Sequence, residues 1–532
     1  MNGESSMLWQ PGGRALLPDL LGREWDLLVI GGGISGAGVL LEAARRGLRA
    51  LLVERRDFAW GTSSRSSKLV HGGLRYLKQG RLHLAAEAVR EREMLLRCAP
   101  GLVEPQGFAF ASHARRGRRG MLAGLALYDL LARRRRRHWV GSADFLMLAP
   151  QVRRDGLLGG FVYEDARTDD ARLVLRVLQE ARALGACAFN YLGAHSLVRS
   201  EGRVAGAILE CALDGSLHEA RARVVVDATG AWSGCLHGKG PRLRPLRGSH
   251  LLLPAWRLPL AQAVGLLHPR DGRPVFAYPW EGATLVGTTD LDHDPAALAA
   301  QREPGITRPE LDYLMEALRA AFPGLALEED DILSTYAGVR PVIAGRAGAA
   351  PSSEGREHAV RSEDGLVAIA GGKLTTFRAI ALDALRLARR QLPGWDDALD
   401  ACPAFLPAPG PAHGEYGMAR RLHGRYGAAA PALLEAVRPG ELERIPGTET
   451  AWAELRWAAR TEAVQRLDDL LLRRTRVGLL LRGGGAGILA RVRAICQPEL
   501  AWDDARWERE QDAYLALWRA HYSLPGGVDA GA

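Results

Sequence analysis

The sequence predicts an α/β protein with a nucleotide-binding core, an inserted β-rich region and a helical C-terminal part. Three features predict this: a glycine-rich turn between two apolar runs near the N-terminus, strand-like segments through the middle, and an Ala/Leu/Arg-rich helical pattern beyond a proline cluster. The turn lies in DLLVIGGGISGAGVLLEAARRGLRALLVE, Asp26 to Glu54. Leu27 to Ile30 form an apolar strand, Gly31, Gly33 and Gly36 supply G-x-G-x-x-G, Val39 to Ala44 continue as a helix, and Ala50 to Val53 form a second strand. Gly31 permits the tight turn, Gly33 lets backbone approach a pyrophosphate, and Gly36 lets helix and strand pack closely. Glu54 ends the second strand, where a carboxylate accepts ribose hydroxyls and repels a 2′-phosphate. The unit is therefore Rossmann-like and expected to bind a dinucleotide other than NADP.

After the second strand, GTSSRSSKLVHGGLRYL (Gly61 to Leu77) is too polar and glycine-rich for core. Thr62, Ser63 and Ser64 offer donors for pyrophosphate or ribityl oxygens, and Gly72-Gly73 allows close passage by a flat ring. His71, Arg75 and Tyr76 project reactive or anion-binding groups; the alternative is an exposed loop with a helix cap at Ser66 or Ser67. Further on, RVVVDATGAWS (Arg223 to Ser233) is an apolar strand entering a small-residue turn at Gly230, which suits backbone approaching a cofactor. GSHLLLP (Gly248 to Pro254) reads as a strand, and YPWEGATLVGTTD (Tyr278 to Asp290) as a hairpin turning at Glu281-Gly282. GLVAIAGGKLTTFRAIALDAL (Gly365 to Leu385) returns to strand, glycine turn and helix, with Gly371 and Gly372 expected to open the helix. Pro403, Pro407, Pro409 and Pro411 mark a linker, and the helical region beyond breaks at Gly483 to Gly487.

Composition bounds the classes open to the chain. At 532 residues with 47% hydrophobic content there is material for two or three domains. The six cysteines form no C-x-x-C pair, so zinc, iron–sulfur and disulfide frameworks are not expected and no metal ligand is assigned. No apolar run reaches the ~20 residues that span a bilayer, and the first 25 residues lack a signal-peptide pattern; the expectation is a cytoplasmic protein. Of 70 basic residues only four are lysines, Lys68, Lys78, Lys239 and Lys373, and the net charge is +9. Lys68 and Lys373 fall within the motifs above, where a compact ammonium does what a planar guanidinium does not.

The ordered set VIGGGISGAG, TSSRSSKLVHGGLRYL, EAVREREMLL (Glu87 to Leu96), DDARLVL (Asp169 to Leu175), DATGAW, GSHLLLP, GTTD, GVRP and GGKLTTF resembles the aerobic, FAD-dependent glycerol-3-phosphate dehydrogenases of the glycine and D-amino-acid oxidase superfamily. The likeness runs from Asp26 to beyond Trp518, and HGGLRYL and GGKLTT distinguish it from amine oxidases that share only the nucleotide-binding start. It implies an α/β fold with a Rossmann-like FAD-binding domain (24–100, 150–245 and 335–395), an inserted β-rich substrate domain (101–149 and 246–334) and a C-terminal helical cap domain (405–525). Residues 1–23 extend past the family's usual start and are expected to be a disordered extension or a misassigned start.

The implied activity is oxidation of sn-glycerol 3-phosphate to dihydroxyacetone phosphate, with FAD as cofactor and a membrane quinone as acceptor. That reaction needs a hydride aimed at flavin N5, a base for the hydroxyl proton and cations for the phosphate. By resemblance Arg75 and Arg340 bind the substrate oxygens, with Tyr76 beside them; Arg340 also steadies an alkoxide, and Lys373 supports the reduced flavin and the substrate. His71 and His250 are the candidate bases, each with an unperturbed imidazole pKa near ~6.5. Lys68, Gly372, Leu374 and Thr375 join the cofactor set with Gly31, Gly33, Gly36, Glu54, Thr62, Ser63, Ser64 and Gly230. The alternatives are a glycerol-3-phosphate oxidase passing electrons to O2 and, remotely, a non-enzymatic flavin-bearing binding protein.

ARRGRRGMLAGLALYDLLARRRRRHWVG (Ala114 to Gly141) contains an apolar helix from Met121 to Ala132. At ~1.5 Å per residue it is about 18 Å long, too short for a ~30 Å bilayer. Flanking arginines favour a surface anchor on anionic lipid at the inner face of the cell membrane; a buried helix with solvated arginine ends is the alternative. No aromatic platform accompanies the run, so nucleic acid is not an expected partner. A second copy of the chain, as a homodimer, is an open expectation.

Overall fold

A computed structural model describes residues 7–73, 76–77, 80–113, 118–132, 137–236, 238, 242–345, 357–393, 396–405 and 417–526. Among them the chain forms two large sheets and a C-terminal group of helices. The first sheet is ordered His358–Glu363, Leu366–Gly371, Leu217–Asp227, Glu24–Ile30, Ala50–Val53, Cys187–Phe189, with Arg203–Cys211 and Leu192–Ser200 branching antiparallel from Leu217–Asp227. Its centre is parallel: Leu27 lies opposite Val224 and Ala50, and Val225 opposite Leu366. Parallel strands covered on both faces read as continuous apolar runs. Leu27, Leu28, Val29, Leu51, Leu52 and Val53 are fully buried accordingly. Helices Ile34–Arg45, Asp170–Ala183 and Phe377–Ala388 join the same core.

The second sheet is ordered Leu291–Asp292, Leu243–Pro254, Ala283–Gly287, Pro274–Trp280, Ala263–Leu267, Val103–Ser112, Gly159–Thr168, Leu69–Val70; Ser334–Ile343 pairs with Leu243–Pro254 and His138–Gly141 with Gly159–Thr168. Its GSHLLLP strand is buried on both faces. Leu252 belongs to the same buried core as Leu455, Leu472 and Trp507 of the C-terminal helices, whereas Leu251 and Leu253 belong to the core that holds Leu311, Leu314 and Leu318 of helix Arg308–Ala321. The twofold alternation of a strand thus divides one apolar run between two cores. The hairpin turns at Glu281-Gly282, both with positive φ.

Two expectations change. Gly159–Thr168 and Ser334–Ile343, expected within the cofactor domain, belong to the second sheet because their backbones pair with Val103–Ser112 and Leu243–Pro254 almost end to end. Residues 7–23 of the expected disordered extension are packed against the first sheet. Leu8, Trp9, Leu17, Leu20 and Leu21 are buried; the Trp9 indole donates to the Ala188 carbonyl (2.8 Å) and Arg14 donates to the Asn190 carbonyl (2.7 Å).

Candidate active site

Strand ends and glycine turns of the first sheet meet the edge of the second around one cavity of about 650 Å³. At the nucleotide-binding turn Gly31 has φ +113°, and a Cβ there would lie 2.6 Å from the Ala228 carbonyl oxygen. At Gly36 a Cβ would lie 1.9 Å from the Gly31 carbonyl oxygen, so helix and strand touch as expected. Gly33 differs. It lines the cavity, a Cβ there would meet only Ser63, at 3.1 Å, and it precedes the first residue of helix Ile34–Arg45. A helix N-terminus on the cavity wall, with the Ser63 hydroxyl beside it, is where a diphosphate is held. A dinucleotide cofactor fits this wall.

Glu54 lines the cavity at the end of Ala50–Val53. Its two carboxylate oxygens accept from the amides of Gly32 (2.7 Å) and Arg56 (2.8 Å). Burial raises its pKa, against the lowering effect of those amides. Each oxygen retains acceptor capacity for a ribose hydroxyl. Thr62 and Ser63 also line the cavity; the Thr62 hydroxyl donates to the Val339 carbonyl (2.5 Å), and Ser63 Oγ accepts from the Ile34 amide (3.0 Å). Gly230, with φ +65°, and Gly372, Lys373, Leu374 and Thr375 complete the assigned cofactor wall.

Ser64 and Lys68 depart from expectation. Both are buried and neither lies on the cavity wall. The Ser64 carbonyl accepts from Lys68 Nζ (2.9 Å) and Arg476 Nη2 (2.7 Å) behind the turn, and Lys68 pairs with Asp170 (3.0 Å) between the Trp280 and Tyr336 rings. Burial and the neighbouring Arg476 charge lower the Lys68 pKa to about 8, against the Asp170 attraction. The helix expected to open at Gly371 and Gly372 starts at Phe377; Gly371 ends the strand, and the segment between forms cavity wall. Ser66 and Ser67 cap no helix.

Of the catalytic candidates, His71, Arg340 and Lys373 line the cavity. Thr375 Oγ1 donates to the His71 carbonyl (3.3 Å), which places the HGG and GGKLTT segments side by side. Arg340 is held by Asp290 (2.8 Å) and by Thr288 Oγ1 (3.0 Å), with 19% of its side chain exposed. Lys373 Nζ sits 4.0 Å from the centroid of the Tyr76 ring. Tyr76, expected to contact the substrate, is buried against that ammonium and off the cavity wall. Arg75 lies outside the described residues.

His250, the second candidate base, is not on the cavity wall. It is 1% exposed, stacked on Tyr336 at 4.7 Å, and separated from the cavity by Ser67, whose hydroxyl is 2.9 Å from Nε2. Burial, then the charges of Arg340 and Lys68, push its pKa well below the usual imidazole value. A neutral imidazole at this position shares a hydrogen bond with the Ser67 hydroxyl, which lines the cavity.

Ser67 was read only as a possible cap, and its pairing with His250, 183 positions away, has no local signature. Arg65 also lines the cavity, tethered to Glu303 and to the Tyr522 hydroxyl (3.0 Å). Trp60 and Trp232 lie 5.8 Å apart on the wall. Among the described residues no group of His, Cys, Asp or Glu has the arrangement of a metal site.

Residues 26–381 match the model of the FAD dependent oxidoreductase family, and residues 404–507 match that of the C-terminal domain of alpha-glycerophosphate oxidase. The class is therefore that of a flavoenzyme using FAD. The aerobic glycerol-3-phosphate dehydrogenase of Bacillus subtilis (strain 168) is 40% identical over 389 residues, covering 71% of this chain and 69% of its own length. That of Staphylococcus epidermidis is 39% identical over 386 residues, covering 70% and 68%. The crystal structure of glycerol-3-phosphate dehydrogenase from Bacillus halodurans, complexed with FAD, superposes with a TM-score of 0.74 at 28% identity, covering 97% of this chain and 98% of that one. The chain belongs to the FAD-dependent aerobic glycerol-3-phosphate dehydrogenase family.

Proposed function

We propose that this protein oxidises sn-glycerol 3-phosphate to dihydroxyacetone phosphate and delivers the electrons to a membrane quinone. The observation that carries the reading is the meeting of His71, Arg340 and Lys373 on one cavity with the Gly31–Gly36 turn and Glu54. FAD, when bound, supplies a hydride acceptor at N5. The residues supply the rest. Arg340, fixed by Asp290 and Thr288, presents a guanidinium to substrate oxygens, with Arg75 as its proposed partner on the phosphate. His71 takes the C2 hydroxyl proton as the C2 hydrogen leaves with its electron pair, so carbon closes to a ketone and the phosphate is untouched. Lys373 places positive charge where negative charge gathers on reduction. Ser67, oriented by neutral His250, offers a hydrogen bond to the same space.

The proposed membrane contact is helix Arg118–Ala132. Its inner side is committed to protein, since Leu125 and Tyr128 are buried, while Leu130 is 72% exposed. Asp129 accepts from Arg137 (3.1 Å); Arg133 to Arg136 lie outside the described residues. No described helix is long and apolar enough to cross a membrane. The acceptor is tested by reducing the protein anaerobically with glycerol 3-phosphate and then adding either a soluble quinone or oxygen. Rapid recovery of flavin colour with quinone alone supports the dehydrogenase; rapid recovery with oxygen and stoichiometric peroxide replaces it with the oxidase.

A further inference from the structure

The DDARLVL motif has no part in the chemistry above, yet its second residue organises the cavity wall. Asp170 is fully buried at the start of helix Asp170–Ala183. Oδ2 accepts from the Ser66 amide (2.9 Å) and the Ser66 hydroxyl (2.7 Å), and Oδ1 from Lys68 Nζ (3.0 Å) and Arg476 Nη2 (2.9 Å). Arg476 comes from the helical C-terminal region, 306 positions along the chain from Asp170. It also donates to the Ser64 carbonyl (2.7 Å) and, through Nη1, to the Leu472 carbonyl (2.7 Å), and its own backbone is left-handed, φ +66°. Two buried cations and one carboxylate therefore clamp the turn that presents Thr62, Ser63, Ser66 and Ser67 to the cavity.

We propose that Arg476 is a positioning residue for the Thr62–Ser67 turn, so that the C-terminal helical region is a working part of the cofactor site and not only its cover. A guanidinium satisfies the Ser64 carbonyl and the Asp170 carboxylate at once, a geometry that lysine only partly reproduces. Without it the Ser64 carbonyl loses one buried donor and Asp170 keeps only Lys68 as a cation partner. The turn then loses its fixed depth against the cofactor. Another buried pair joining the same regions, Arg172 with Glu462 (2.5 and 2.7 Å), makes no hydrogen bond to this turn and serves as the control.

The inference rests on the cofactor part of the proposed function and is tested without substrate. Arg476→Met, Arg476→Lys, Ser66→Ala and Glu462→Gln holoenzymes are stripped of flavin, and the Kd for added FAD is measured by flavin fluorescence together with the apoprotein Tm. Arg476→Met is expected to raise Kd at least tenfold, Arg476→Lys and Ser66→Ala by less, and Glu462→Gln to lower Tm while Kd stays within twofold of wild type. Arg476→Met or, if that variant does not fold, Ser66→Ala binding FAD as wild type does would overturn the proposal. So would a Glu462→Gln Kd that rises as far, because the effect would then follow stability alone. Failure of the substrate assignment appears separately, as a wild-type protein that binds FAD but is not bleached by glycerol 3-phosphate.

Discussion

Replacing Arg340 by alanine separates substrate recognition from cofactor binding. The guanidinium is anchored by Asp290 (2.8 Å) and Thr288 (3.0 Å) and remains one-fifth exposed towards the cavity. Truncation removes a charge-assisted hydrogen bond to the substrate, worth about 1.5–3 kcal/mol, which is about 10- to 150-fold in kcat/KM. The fold survives the change because Asp290 keeps Arg273 at 3.6 Å, and the Gly31–Gly36 cradle is untouched. Stopped-flow bleaching of the flavin under anaerobic conditions, with substrate varied, yields kcat/KM for the reductive half-reaction directly. FAD content near that of wild type with a fall of at least tenfold is the expected result, and Arg340→Lys, which keeps the charge and loses the fork, falls between. Wild-type kinetics in Arg340→Ala would remove this residue from the site and, with it, the substrate geometry argued above.

Four further outcomes are expected. Gly33→Val places a side chain in the diphosphate's space and abolishes FAD retention; a fully loaded yellow variant would refute the cradle. Trp9→Ala deletes a buried indole packed at a tilt against Phe58, ring centroids 5.0 Å apart, and costs about 3–5 kcal/mol, read as a lower denaturation midpoint; an unchanged midpoint would contradict the packing of residues 7–23. Burial alone would raise the Glu454 pKa, but Arg421 and Arg425 outweigh it and hold the carboxyl at about 2. A folded-state pKa below the unfolded value of about 4.3 contributes stability present above that value and lost as pH falls towards 2. The Tm of Glu454→Gln should therefore change less between pH 5 and pH 3 than that of wild type, and an identical slope would rule the residue out. Replacing Arg133 to Arg136 with serine, leaving the Asp129–Arg137 pair intact, should weaken binding to anionic vesicles in flotation assays; undiminished binding at low salt would move the anchor elsewhere.

The parts of the fold legible in the sequence were those fixed by local chemistry. The Gly31–Gly36 turn, the buried strands on either side and the Glu281-Gly282 hairpin each follow from backbone requirements that only a few residue types meet. His71 and Lys373 stand in polar, glycine-rich segments that local chemistry marks, whereas Arg340, inside the strand Ser334–Ile343, was singled out by the family resemblance alone; all three line the cavity. That Lys68 and His250 lie off the cavity wall was not readable, because a polar residue in a suspect motif signals importance without saying which way its side chain points. Both turn inward, where Asp170, Trp280 and Tyr336 receive them. Asp170 and Arg476 were illegible as a pair, since a contact spanning 306 positions has no periodicity to reveal it. Residues 7–23 were misjudged because a short apolar segment reads as a tail until its sheet edge is known.

If the proposed function holds, this cavity reduces its flavin at the expense of glycerol 3-phosphate. Anaerobic mixing of the purified holoenzyme with that substrate, followed at the flavin absorbance near ~450 nm, tests it most directly. Loss of the band with one dihydroxyacetone phosphate formed per flavin is the predicted result. A flavin that stays oxidised at saturating substrate would contradict the assignment of His71, Arg340 and Lys373 and leave only the FAD-binding fold.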